Sequence, residues 1–217
     1  MLRYFATSFT RDDIGIIGFD LDGTLYDEFD FVTQLYSSIS KTMSELTNLD
    51  DRIIYRVLLE QWLREGNTKE LFQNVLEKIG FKGNDDSVVS ACISVYRDFS
   101  PVLKLSPRMV FILEQLIAYG YSMFLVSDGN DRLQRKKIEA LGLYRFFSPE
   151  NIAITGDYGD EYQKPSTKIV SRIEILCGVT KTQTVLYAGD RERDRLFAEE
   201  AGFRFIGMKN AVWVELS

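Results

Sequence analysis

Asp20 and Asp22, in Asp20-Leu21-Asp22-Gly23-Thr24, are separated by one residue. On an extended chain that spacing turns both side chains to the same side, so two carboxylates share a small volume. Such a pair can hold a hard cation, attack an electrophile or move a proton. Asp-Gly is also a common turn, and the pair could do no more than solvate the end of a strand. Three further segments carry comparable groups. Ser127-Asp128-Gly129-Asn130 offers a hydroxyl and main-chain N–H groups ahead of a predicted helix, which suits a phosphate oxygen or an ordinary N-cap. Lys164-Pro165 sets an ammonium beside a proline suited to the first turn of a helix, although a lone lysine is usually a solvated charge. Gly189-Asp190-Arg191-Glu192-Arg193-Asp194 supplies two more carboxylates, equally consistent with an acid-rich helix N-terminus. The chain contains no histidine, which removes Ser-His-Asp and Cys-His nucleophile activation and every histidine metal site. Catalysis is left to carboxylates, Lys, Ser, Tyr or Cys.

The elements that must position these groups alternate. Ile14 to Phe19 is an apolar run ending at Asp20, as a buried parallel strand does. Similar runs are predicted at Ser122 to Val126, Ile152 to Thr155, Thr184 to Ala188 and Phe203 to Ile206. The spacing between them predicts helices over Pro107 to Tyr119, Asp131 to Leu141, Pro165 to Cys177 and Glu192 to Ala201. Each is followed by a glycine (Gly120, Gly142, Gly178, Gly202) where a left-handed C-terminal residue is expected. The alternation predicts an α/β fold with a Rossmann-like parallel sheet and helices on both faces. All four chemical segments then fall at the ends of successive strands, where such sheets bind ligands.

About eighty residues separate the first strand from the helix leading to the second, too long for a crossover. Phe31 to Leu46, Asp50 to Arg64, Thr68 to Ile79 and Ser87 to Phe99 have helical spacing. The expected organisation is therefore a core of residues 1–26 and 107–217 with an all-helical cap domain, 27–106, inserted after the first strand. With 45% hydrophobic and 27% charged residues the chain is expected to be globular, and its formal charge of −6 disfavours nucleic acid or an anionic membrane as partners. Met1 to Thr10 shows neither a leader nor an anchor segment. Cys92 and Cys177 lie in apolar runs without metal-like spacing, as expected of buried thiols in a cytoplasmic protein.

The order Asp-x-Asp-Gly-Thr, then Ser, then Lys, then Gly-Asp with a second acid resembles the haloacid dehalogenase superfamily. The resemblance covers the whole core, and the helical insertion falls where that family carries one class of cap. It implies that Asp20 is a nucleophile and Asp22 a general acid/base. Ser127, Asp128, Gly129 and Lys164 would bind phosphate. Asp20, Asp190 and the main-chain carbonyl of Asp22 would hold Mg²⁺, with Thr24 and Asp194 in support. Asp22 is expected to be less acidic than Asp20, since it must carry a proton to the leaving oxygen. Arg191, where many relatives have a small residue, could meet a second anionic group or only solvent. If the Asp128 main chain does the binding, its side chain matters little.

The resemblance thus implies a Mg²⁺-dependent phosphatase acting on a small phosphorylated substrate: a sugar phosphate, a phosphoglycolate-like acid or a nucleoside monophosphate. A halide needs no protonation, so Asp22 argues against a dehalogenase. A sugar phosphomutase generally employs a cap histidine, which is absent. A signalling receiver domain carries its phosphorylated aspartate on a later strand, and a non-catalytic binding protein has no need of the full acidic set. Tyr26, Phe29, Tyr36, Tyr55, Trp62, Arg52, Arg56 and Arg64 are candidates to contact the substrate, although most aromatic residues at helical spacing serve a core.

Overall fold

The computed structural model describes residues 14–66, 68, 70–179, 184–210 and 212–213. The stretch Met1 to Thr10 lies outside them. Five parallel strands, β1 (Ile14–Phe19), β2 (Ser122–Ser127), β3 (Ile152–Ile154), β4 (Thr184–Gly189) and β5 (Arg204–Lys209), form a sheet in the order β3-β2-β1-β4-β5, to which the short β6 (Val212–Trp213) adds antiparallel. The central position of β1 is where the sequence puts its most apolar run. Ile16, Ile17 and Phe19 are buried, as are β2 from Met123 to Ser127 and β4 from Val185 to Gly189. Strands covered on both faces need no polar alternation. Helices α5 (Pro107–Ala118), α6 (Asp131–Ala140) and α7 (Glu192–Glu200) alternate with the strands, which makes this an α/β fold.

The chain divides into two compact units, Met1–Glu28 with Leu103–Ser217, and Phe29–Val102. The second unit is helical among its described residues: α1 (Glu28–Thr47), α2 (Asp51–Glu65), α3 (Leu71–Lys78) and α4 (Asp85–Asp98). Its interior is almost wholly apolar, with Leu35, Ile39, Ile54, Leu58, Val75 and Cys92 buried. The Gln34 amide exchanges two hydrogen bonds with the main chain of Val102, joining the start of this unit to its end. Of the candidate substrate contacts, Tyr36 is fully buried here, while Arg52, Arg56 and Arg64 are exposed. No helix among the described residues is long and apolar enough to cross a membrane.

Two expectations are corrected. Pro165 to Cys177 is not an α-helix but two 3₁₀ turns, Thr167–Arg172 and Glu174–Leu176, interrupted where Ile173 is extended. Ile169, Ile173 and Leu176 still enter the core. Apolar spacing identified the residues that face inward, and it carries no information about which carbonyl each N–H meets. Accordingly Gly120, Gly142 and Gly202 lie at positive φ after true helices, and Gly178 does not. The second correction is Cys177, which is exposed, its thiol donating to the Ile173 carbonyl; only Cys92 is buried.

Candidate active site

Three of the four chemical segments begin at the end of a parallel strand, β1, β2 or β4, while Lys164 follows β3 only after two short 3₁₀ turns. Asp20 follows β1, and β4, next to β1 in the sheet, runs directly into Asp190. One oxygen each from Asp20, Asp190 and Asp194 lies within 4.8 Å of the others. Two glycines permit this crowding. Gly23 adopts φ +83°, and a Cβ there would stand 2.3 Å from Asp190 Oδ2. A Cβ on Gly189 would stand 2.3 Å from that of Asp194. Lys164 crosses from its own loop to bond Asp20 Oδ1 and Asp194 Oδ1, both at 2.5 Å, with its side chain wholly buried. Asp194 serves two purposes, since its other oxygen accepts from the Arg191 main chain at the start of α7. The Thr24 hydroxyl points at Asp20 Oδ2 from 3.4 Å.

The phosphate-type loop resolves the N-cap question. Asn130, not Ser127, caps α6, accepting from the Leu133 N–H, and Gly129 at positive φ turns the chain between β2 and that helix. Ser127 Oγ is buried and accepts from Gln134 Nε2 at 2.6 Å. The Asp128 side chain is not idle: one oxygen accepts from the Lys164 main-chain N–H at 3.2 Å, and the other lies 3.7 Å from the Arg193 guanidinium. It ties the loop after β2 to the segment that presents Lys164.

Asp22 stands in a different company, largely invisible in the sequence. Its Oδ1 accepts from Lys137 Nζ at 2.8 Å and from the Tyr26 hydroxyl; its Oδ2 accepts from Gln134 Nε2 at 2.6 Å. Tyr26, a candidate substrate contact, is thus a buried donor to Asp22. Arg191 meets neither solvent alone nor an open anion site, because it pairs with the buried Glu28. The available signal for Gln134 and Lys137 was their place with Leu133 and Ile138 on the core-facing side of α6. In the sequence Lys137 reads as one more member of the basic run from Arg135.

These surroundings set the acidities. Burial, reinforced by Asp194 and Asp22 and opposed by Lys164, pushes Asp20 up to about 8. Burial likewise raises Asp190 to about 6. At Asp22 burial acts in the same sense, but the Lys137 charge and bonds from Lys137, Tyr26 and Gln134 prevail and hold the carboxyl below 3.8. This reverses the expected order, in which Asp22 was to be the weaker acid. The cause is the distribution of cations: Lys137 bonds Asp22 directly, whereas Lys164 is shared between Asp20 and Asp194. Burial opposes the Lys164 ammonium too, yet Asp20 and Asp194 keep it charged.

A metal fit can be judged from the same atoms. Asp190 Oδ1 is buried with no hydrogen-bond partner among the described residues, a costly condition unless something else binds it. Counted as ionised, Asp20, Asp22, Glu28, Asp190 and Asp194 oppose only Lys137, Lys164 and Arg191 in this connected set. The deficit of two charges, among hard oxygen donors, fits one divalent cation.

Comparison with known proteins places the chain in a family. Residues 17–208 match the model of the haloacid dehalogenase-like hydrolases. The chain is 24% identical over 190 residues to a glyceraldehyde 3-phosphate phosphatase of Methanothermobacter thermautotrophicus, covering 87% of this chain and 82% of that one. It is 27% identical over 195 residues to a phosphoglycolate phosphatase of Aquifex aeolicus, covering 86% and 81%. An Entamoeba histolytica HAD hydrolase of family IA shares the fold with a TM-score of 0.60 at 20% identity, covering 91% of this chain and 85% of that one. With the family model spanning nearly the whole chain, from within β1 into β5, this protein belongs to the haloacid dehalogenase-like hydrolases.

Proposed function

We propose that the protein is a Mg²⁺-dependent phosphatase that cleaves a small phosphorylated metabolite through an aspartyl-phosphate on Asp20. The observation that carries this reading is the convergence of Asp20, Asp190 and Asp194 within 4.8 Å, with Lys164 bonded to two of them. Asp20 Oδ would attack phosphorus as the ester P–O bond breaks, and Asp22 would give its proton to the departing oxygen. Water would then attack the same phosphorus, losing its proton to Asp22 and releasing Asp20. Lys164 and the Ser127 hydroxyl would hold the phosphate oxygens.

Bound by Asp20, Asp190 and the main chain of Asp22, Mg²⁺ would supply the positive charge that keeps Asp20 ionised and offsets the charge of the phosphate. The arriving phosphate, a like charge beside Asp22, favours the protonated form of that carboxyl, which is the form its first step requires. The names of the relatives, which act on glyceraldehyde 3-phosphate and phosphoglycolate, support a short phosphorylated acid or sugar as substrate. We read the helical unit as the cap that selects it, the cytoplasm as the setting, and neither nucleic acid nor membrane as a partner. Phosphate release from p-nitrophenyl phosphate, measured with Mg²⁺ and with chelator, tests the activity. Turnover that needs Mg²⁺ and vanishes in Asp20→Asn is expected; equal turnover by that variant would refute it.

A further inference from the structure

Gln134 and Lys137 stand one turn apart on α6, both buried, on the side that also presents Leu133 and Ile138. A buried ammonium costs several kcal/mol unless it is paired. Lys137 meets that condition at Asp22, 2.8 Å away. Gln134 Nε2 lies 2.6 Å from Asp22 Oδ2, 2.6 Å from Ser127 Oγ and 2.9 Å from the Asp128 carbonyl oxygen. A carboxylate and a carbonyl only accept, so the amide NH₂ must face this group. With two N–H protons for three acceptors, one proton is shared between two of them, and Ser127 Oγ can only accept in its contact with Gln134, its own proton left to point elsewhere. Asp22 meanwhile receives donors on both oxygens, from Lys137 and Tyr26 on one and from Gln134 on the other. Its carboxylate cannot turn without breaking at least two of these bonds.

We propose that Gln134 and Lys137 are positioning residues for the phosphoryl transfer, Lys137 by fixing the orientation of the Asp22 carboxylate and Gln134 by coupling that carboxylate to the Ser127 hydroxyl. The assignment rests on the phosphatase reading. Neither residue exchanges a proton or touches phosphorus. The ester oxygen takes its proton from Asp22 as the P–O bond breaks, and Asp22 recovers one from the attacking water. Gln134 adds a second effect by committing a Ser127 lone pair, which directs the hydroxyl proton to a phosphate oxygen. One turn of α6 thus serves both the acid/base and the phosphate-binding side of the site.

The test uses two aryl esters that differ in their need for a proton. p-Nitrophenolate leaves readily unprotonated, and phenolate less so. Lys137→Met should lower kcat/KM for phenyl phosphate about tenfold more than for p-nitrophenyl phosphate. In an Asp22→Asn background the same substitution should add no further loss, because Lys137 acts through Asp22. Gln134→Met should in addition weaken competitive inhibition by inorganic phosphate several-fold, more than Lys137→Met does. Should Lys137→Met fail to fold, Lys137→Leu, which likewise offers Asp22 no donor, carries the same comparison. Equal losses on both esters, losses that multiply in the double variant, or unchanged phosphate inhibition in Gln134→Met would overturn the assignment alone. Turnover of neither ester by the wild type would overturn the phosphatase reading and the assignment with it.

Discussion

The two units of the chain bury different kinds of side chain. In the helical unit the buried polar residues are Ser40 and Gln61, both neutral, among the described residues. In the α/β unit Asp20, Glu28, Lys137, Lys164 and Asp194 are all buried and ionisable. Burying charge is expensive and must be offset by pairing, so one unit derives its stability from apolar packing and the other accommodates a charged interior. The difference teaches where chemistry was built. The charged interior lies at the ends of β1 and β4, whereas the helical unit buries no charged side chain among its described residues.

Substitutions can sharpen or break this contrast. The largest effect belongs to Lys164→Met, which leaves Asp20 and Asp194 buried without their shared cation. It should cost about 3–5 kcal/mol in urea unfolding, together with loss of turnover; a change under 1 kcal/mol would show that the charged interior is not held by this pair. Next comes Asp190→Asn, for which we expect a fall in kcat of about 100-fold or more and a raised Mg²⁺ requirement, with stability nearly unchanged. A Mg²⁺ titration of activity decides it, and an unaltered half-saturation would remove Asp190 from the cation site. Gly23→Ala is expected to be smaller: at φ +83°, with Asp190 where the Cβ must go, it should cost about 1–3 kcal/mol by thermal or urea denaturation.

The smallest effect lies in the helical unit. Burial pushes the Cys92 thiol up to about 12, so the folded state retains the proton that the unfolded chain releases near its ordinary value. Stability is therefore full below about pH 8.5 and declines as pH rises toward 12, by on the order of 1 kcal/mol per pH unit. Urea midpoints from pH 8 to 11 should fall less steeply in Cys92→Ala than in the wild type. Identical slopes would mean that the thiol is not shielded.

Much of this was readable before the fold was known. Asp20, Ser127 and Asp190 announce themselves because strands end abruptly and their loops carry unlike polar groups at short spacing, and Lys164 because it directly precedes a proline. Lys137 and Gln134 do not, because a helix hides polar residues within its own periodicity. Lys137 follows Arg135 and Lys136 in the chain, and only the packing of α6 turns it inward. The 3₁₀ turns after Pro165 escaped for a related reason: Ile169, Ile173 and Leu176 keep helical spacing while the main chain does not. Cys177 shows the converse, an apolar neighbourhood in sequence that ends at the surface.

The central claim is that Asp20 becomes covalently phosphorylated. Acid quenching during turnover of p-nitrophenyl phosphate, followed by borohydride reduction, converts an aspartyl-phosphate to homoserine that peptide mass spectrometry can locate. The account predicts homoserine at position 20 and none in Asp20→Asn. Homoserine at another aspartate, or none anywhere while phosphate is steadily released, would contradict it.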